Sequence, residues 1–315
     1  MNAIVLVVVG LAGLVIGGEL LVRGAVSVAK SFGISPMVIG LTLVGFGTSA
    51  PELVTSLQAA LSGSSGIAIG NVIGSNIGNV LLILGIAALL RPVAVDPAAF
   101  KRDGSVLVLA TLMCLGAILI GDMGLLIGLA FVATLAAYLT YTIASERRPT
   151  PASAVYKAEA DAVPGPDQAL GIALLFAVVG LVITIFGARF MVSGAVSLAQ
   201  EAGISETTIG LTIVAIGTSM PELVTSIIAV RKGQGDVALG NVLGSNIFNI
   251  LGILGITAII QPMEVPLEIK EFDIWVMCAT ALLLVLFARA GWRVGRREGS
   301  AMLGCYAAYL AWLLM

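Results

Sequence analysis

The 315-residue sequence contains no histidine, and only 11% of its residues are charged. The missing imidazole excludes His-ligated metal centres, Ser–His catalysis and a histidine proton relay. Three cysteines (Cys114, Cys278 and Cys305) are too few and too scattered for a disulfide framework or a thiolate metal site. A soluble domain carries about 25% charged residues, so this chain lacks the material for a water-facing surface. The net charge of −2 and the absence of any basic tract leave nucleic acid nothing to bind. Alternating polar/apolar segments of about 10 residues, the mark of a transmembrane barrel, are missing as well. The first 22 residues lack a positive n-region and a small-residue cleavage site, so they are expected to stay on the protein as a first helix.

What is present is apolar: 59% hydrophobic residues and a mean hydropathy of +1.09. Runs of about 20 apolar residues recur along the chain, as bilayer-spanning helices require. The expected fold class is an all-α membrane protein with ten transmembrane helices. The spans are expected at 3–22, 36–61, 67–90, 104–120, 124–144, 169–190, 206–230, 237–260, 272–289 and 300–315. The polar, Pro-rich stretch Ser145–Gln168 reads as a cytoplasmic linker between residues 1–144 and residues 169–315. With the N-terminus outside, all of the 16 basic residues except Arg189 and Lys270 fall on the inner side. Both termini are therefore expected to face outward from a bacterial or archaeal cytoplasmic (inner) membrane.

An internal repeat organises these spans. Gly24–Ser56 matches Gly194–Ser226, and Gly70–Ile86 matches Gly240–Ile256, both at an offset of 170 residues. Five spans separate equivalent points. Five is odd, so the second copy enters the membrane from the opposite side, giving two inverted five-helix repeats. Shared Thr-Ser-x-Pro-Glu and Ser-Asn-Ile-x-Asn are too specific for chance resemblance between greasy helices.

A charge at the centre of a membrane helix costs about 2.5–3.5 kcal/mol even on lenient scales. This chain accepts it at two equivalent places, Glu52 and Glu222, which the inversion brings together near the midplane. Pro51 and Pro221 free carbonyls around Gly45–Gly47 and Ala215–Gly217. Thr48 and Ser49 lie four and three residues before Glu52, so in a regular helix they share its face, and Thr218 and Ser219 stand likewise to Glu222. Asn71, Ser75 and Asn79 form a polar stripe every four residues, which Asn241, Ser245 and Asn249 repeat. This all-oxygen set suits hard cations, and Ca²⁺ better than Mg²⁺. Two carboxylates balance one Ca²⁺ or two Na⁺, and with neither bound their repulsion invites protons to compete. That is the charge logic of an antiporter.

The other polar residues have plainer readings. Thr55, Ser56, Gly40 and Gly210 are assigned to helix packing. Asn71 and Asn241 stand between ligation and packing. Asn76 and Asn246 fall off the stripe and are expected at helix–helix contacts. Glu19 and Arg23 are expected to form a snorkelling pair, and Asp122 to be solvated at an outer turn. Ser27-x-x-Lys30 loses its lysine in the second repeat, where Gln200 stands, so it is no catalytic motif.

At Gly-Thr-Ser-x-Pro-Glu, present twice, the sequence resembles the sodium/calcium exchanger family within the cation/calcium exchanger superfamily. The resemblance implies central ion sites and no prosthetic group. Its ligands would be Thr48, Ser49, Glu52, Ser75 and Asn79, with Thr218, Ser219, Glu222, Ser245 and Asn249 and the carbonyls of Gly45 and Ala215. It also implies that the first and sixth spans slide across the core to alternate access. Family members often carry aspartate where this chain has Asn249, which leaves two carboxylates here instead of three. The expected function is Ca²⁺/Na⁺ antiport by a monomer in the lipid bilayer, and the alternative is exchange of Ca²⁺ or another divalent cation for H⁺. A channel would use the same polar path passively. An intramembrane protease lacks its catalytic dyad here, so the chain is not expected to be an enzyme.

Overall fold

The computed structural model describes residues 3–32, 36–146, 170–201 and 215–313. The expected linker beyond Glu146, together with Gly210, lies outside these residues. The chain is helical almost throughout. Helix α1 (Ala3–Phe32) is followed by a broken helix, α2 (36–48) and α3 (Ala50–Leu61). Next come α4 (Ser65–Leu90), α5 (Pro97–Ile120), α6 (Leu125–Glu146) and α7 (Leu170–Glu201). A second broken helix comprises α8 (Ala215–Thr218) and α9 (Met220–Arg231). The chain ends with α10 (Gly235–Ile260), α11 (Ile269–Arg289) and α12 (Arg296–Leu313). Among the described residues, seven helices are long and apolar enough to cross a membrane: α1, α4, α5, α6, α7, α10 and α11.

Helices α1, α5 and α7 outrun their expected spans by the widest margins. The apolar run of α1 stops near Arg23, that of α7 near Arg189, and that of α5 begins after Asp103, yet each helix continues. Hydropathy marks where lipid ends, whereas helix continues until a cap stops it. In α5 the caps are plain. The Asp96 carboxylate accepts from the Ala99 N–H at 2.6 Å, Pro97 opens the helix, and Gly121 closes it at φ +91°.

Two short ribbons tie the helix ends. Strand β1 (Val93–Ala94) pairs antiparallel with β4 (Arg293–Val294), and β2 (Asp122–Met123) with β3 (Met263–Glu264). Helix α5 joins β1 to β2, and its 24 residues span about 36 Å. The ribbons therefore mark opposite ends of the bundle, a bilayer's thickness apart. The repeat is visible in the backbone too. Gly63 and Gly233, 170 residues apart, both turn the chain at φ +79°.

Helices α4 and α10 form the interior, their apolar windows 78% buried against 28% for α1 and α7. Backbones meet closely in this interior. A Cβ at Gly244 would lie 2.6 Å from the Leu41 Cα, so only glycine lets α10 rest on α2. Helices α1 and α7 pack antiparallel at the periphery, Gly13 facing Gly187 while Gly24 faces Ala177. Glu19 on α1 pairs with Lys232 at the end of α9, not with Arg23, whose guanidinium lies 5.6 Å from the Phe176 ring. The correct partner is distant in sequence, where helical spacing carries no information.

Candidate functional site

The two broken helices meet α4 and α10 at the centre of the bundle. Each break falls on a serine. Ser49 (φ −81°, ψ 7°) ends α2, and Ser219 (φ −88°, ψ 9°) ends α8. Pro51 and Pro221 do not kink a continuous helix, as spacing suggests. Each sits in the first turn of a new one, where a missing N–H costs nothing. Glu52 and Glu222 occupy the same first turns. Both carboxyl groups are buried, at 1% exposure.

The break redirects the serines. Ser49 does not share the face of Glu52. Its hydroxyl crosses to Glu222 and donates to Oε1 at 2.9 Å. Ser219 crosses the other way and donates to Glu52 Oε1 at 3.2 Å, with Ser75 Oγ 3.4 Å away. Each half of the sequence thus holds the other half's glutamate. The Thr48 hydroxyl lies against the carbonyls of Val44 and Gly45 (3.0 and 3.3 Å) and Asn241 Oδ1 (3.3 Å), and it also interacts with the Glu222 carboxyl group. Thr218 occupies the equivalent place in α8, and Ala215 opens that helix. The Ser245 hydroxyl donates to the Gly45 carbonyl at 3.1 Å, bringing two expected site residues into contact across α2 and α10.

Asn71 and Asn241 act as braces. Asn71 Nδ2 donates to the Glu52 carbonyl (3.3 Å) and to Ser56 Oγ (2.9 Å). Asn241 Nδ2 does the same to Glu222 (3.2 Å) and Ser226 (2.9 Å). The packing reading of Ser56 agrees with this bond. Asn79 and Asn249 lie where α4 and α10 loosen into π-helical turns, Asn79–Leu84 and Phe248–Leu254. Such turns recur at functional sites. The amides of Asn79 and Asn249 meet Asn246 and Asn76, so these two residues adjoin the site as well as joining the helices.

Four buried oxygens here have no hydrogen-bond partner: Glu52 Oε2, Glu222 Oε2, Asn79 Oδ1 and Asn249 Oδ1. A buried polar atom left alone costs about 1–3 kcal/mol. Two carboxylate and two amide oxygens, all acceptors, are the kind of ligand that a hard cation takes.

Comparison with known proteins points to one family. A family profile described as sodium/calcium exchanger protein matches residues 2–144 and 172–315. The putative antiporter CaxA of Alkalimonas amylolytica is 40% identical, over 98% of this chain and 97% of its own. The sodium/calcium exchanger MaX1 of Methanosarcina acetivorans is 36% identical, over 97% and 96%. A solved structure of the sodium-calcium exchanger NCX_Mj, soaked with Na⁺ and Ca²⁺, superposes with a TM-score of 0.85 at 32% identity, covering 99% of each chain.

Proposed function

The chain belongs to the sodium/calcium exchanger family, a family of membrane transporters and not of enzymes, and from that premise we propose that it exchanges Ca²⁺ for Na⁺ by alternating access. The carrying observation is the set of four unpartnered buried oxygens on Glu52, Glu222, Asn79 and Asn249. Thr48, Ser49, Ser75, Thr218, Ser219 and Ser245 complete the site with the carbonyls of Gly45 and Ala215. One Ca²⁺ or two Na⁺ neutralise the two carboxylates. Empty, they repel one another in a poorly solvated site, so the loaded forms cross and the empty one does not.

The architecture is ten helices in two inverted five-helix repeats, residues 1–144 and 169–315, joined by a cytoplasmic linker. The equivalent breaks at Ser49 and Ser219 and the equivalent turns at Gly63 and Gly233 support the repeat. The gap in the family match between residues 144 and 172 supports the linker. Both ribbons join loops that this topology assigns to one side of the membrane, β1 and β4 inside, β2 and β3 outside. Most basic residues lie on the inner side, so both termini face outward from a prokaryotic cytoplasmic membrane. A monomer suffices, because both half-sites come from one chain.

The moving part is the α1–α7 pair, which slides over the core. Its contacts with the broken helices run through small residues, Gly47 against Leu181, Gly217 against Val192 and Gly18 against Ile228. Glycine at each of these places lets the pair lie close against the broken helices. Ca²⁺ uptake into liposomes holding the purified protein, with an outward Na⁺ gradient compared against an outward H⁺ gradient, tests the coupling. Uptake driven by Na⁺ supports the proposal. Uptake driven by H⁺ alone assigns proton coupling to the same scaffold, and uptake with neither refutes both.

A further inference from the structure

We propose that Asn76 and Asn246 are positioning residues that turn the side-chain oxygens of Asn249 and Asn79, each in the opposite repeat, toward the transported cation. The inference rests on the exchange reading above and goes beyond it, because neither residue is among the ligands that reading names.

The four amides form a closed, crossed network in the bundle interior, none more than 3% exposed. Asn76 Nδ2 donates to the main-chain carbonyl of Asn246 at 3.4 Å, and Asn246 Nδ2 donates to that of Asn76 at 3.3 Å. Asn76 Nδ2 also lies 3.7 Å from Met277 Sδ, a weak acceptor. A main-chain carbonyl only accepts. It therefore fixes which end of each facing amide is nitrogen. The Asn76 oxygen must then point away, where it accepts from Asn249 Nδ2 at 3.1 Å. The Asn246 oxygen accepts from Asn79 Nδ2 at 3.0 Å.

Each of these bonds consumes the donor end of a site amide. Asn79 Oδ1 and Asn249 Oδ1 are left buried with no partner. Turning either amide over would set its nitrogen toward the ion path and its oxygen against another oxygen. Two main-chain carbonyls thus dictate, through Asn76 and Asn246, that the site presents acceptors. A cation fits that polarity and an anion does not. At Asn249, where an uncharged amide must do the work, the orientation decides whether the residue attracts the ion or repels it.

The crossing supplies the test. An alanine at position 76 removes the acceptor that holds Asn249, yet it keeps the main-chain carbonyl that holds Asn246, and so Asn79 stays oriented. In liposomes containing the full chain, Asn249→Ala and Asn76→Ala are each expected to raise the Ca²⁺ KM about tenfold. Asn76→Ala with Asn249→Ala should also give about tenfold, while Asn76→Ala with Asn79→Ala should multiply to about a hundredfold. A purely structural role predicts a lower melting temperature and no such crossed pattern. Multiplying effects in the 76/249 pair would overturn the proposal, as would an unchanged KM for Asn76→Ala beside an impaired Asn249→Ala. An unchanged KM for Asn249→Ala would instead remove that residue from the ion site and take the proposal with it. If Asn76→Ala does not fold, the mirror cycle of Asn246→Ala with Asn79→Ala carries the same expectations.

Discussion

Ser49 gives its hydroxyl hydrogen to Glu222, 173 residues away, at 2.9 Å, although Glu52 stands three residues from it in the chain. With the return bond from Ser219 to Glu52, this makes the site a joint product of the two halves of the sequence. Removing one such bond to a buried carboxylate costs about 1.5–3 kcal/mol, or roughly ten- to a hundredfold in affinity. Ser49→Ala and Ser219→Ala are each expected to raise the Ca²⁺ KM by that factor with maximal rate largely kept. An unchanged KM in both would remove the serines from the site.

The braces predict a different phenotype. Asn71→Ala leaves the Glu52 carbonyl and Ser56 Oγ without their donor. The expected loss is about 1–3 kcal/mol of stability, read as a lower melting temperature of the detergent-purified protein. Because Asn71 bonds the main chain of Glu52 and not its carboxyl group, the Ca²⁺ KM should move less than in the serine variants. Unaltered melting with a large KM change would make Asn71 a ligand instead of a brace.

Close backbone approach gives a third prediction. Gly244→Ala drives a methyl group against the Leu41 main chain, at 2.6 Å from its Cα. Main chain cannot swing aside as a side chain can, so α10 and α2 must separate. Overpacking of this kind costs about 1–3 kcal/mol or more, and it parts Ser245 from the Gly45 carbonyl. Both folded yield and Ca²⁺ uptake should fall. A variant that melts and transports normally would show that the two helices do not pack this closely.

Proton competition gives a fourth. Protonated Glu52 and Glu222 carry no charge to offset Ca²⁺, so lowering the pH should raise the Ca²⁺ KM while saturating Ca²⁺ restores the rate. The check is initial uptake against Ca²⁺ concentration at several pH values. A KM independent of pH through the acid range would mean that the carboxylates do not hold the ion.

Much of this was legible in the chain. Glu52 and Glu222 stand out because charge inside an apolar run is costly, and the 170-residue offset identifies them as a pair. The stripe residues Asn79 and Asn249 were likewise visible from helical spacing. What spacing hides is any contact between distant segments. It places Ser49 beside Glu52 because a regular helix does so, whereas the break at ψ 7° sends the hydroxyl to Glu222. It pairs Glu19 with Arg23, one turn away, whereas the partner in the fold is Lys232. It set Asn76 and Asn246 off the polar stripe. The reciprocal bonds that bring them to the site exist only once α4 and α10 are packed together. Periodicity reports which face of a helix a residue shares, and these residues act across helices.

The central claim is that Glu52 and Glu222 together hold the transported ion, and Ca²⁺ uptake driven by an outward Na⁺ gradient tests it most directly. The measurement compares liposomes containing the unaltered protein with liposomes containing Glu52→Gln or Glu222→Gln, each verified as folded by its melting temperature. The amide keeps the shape and removes the charge. The account predicts rapid uptake by the unaltered protein and none above background by either variant. Uptake at the unaltered rate by either glutamine variant would contradict it and place the ion elsewhere.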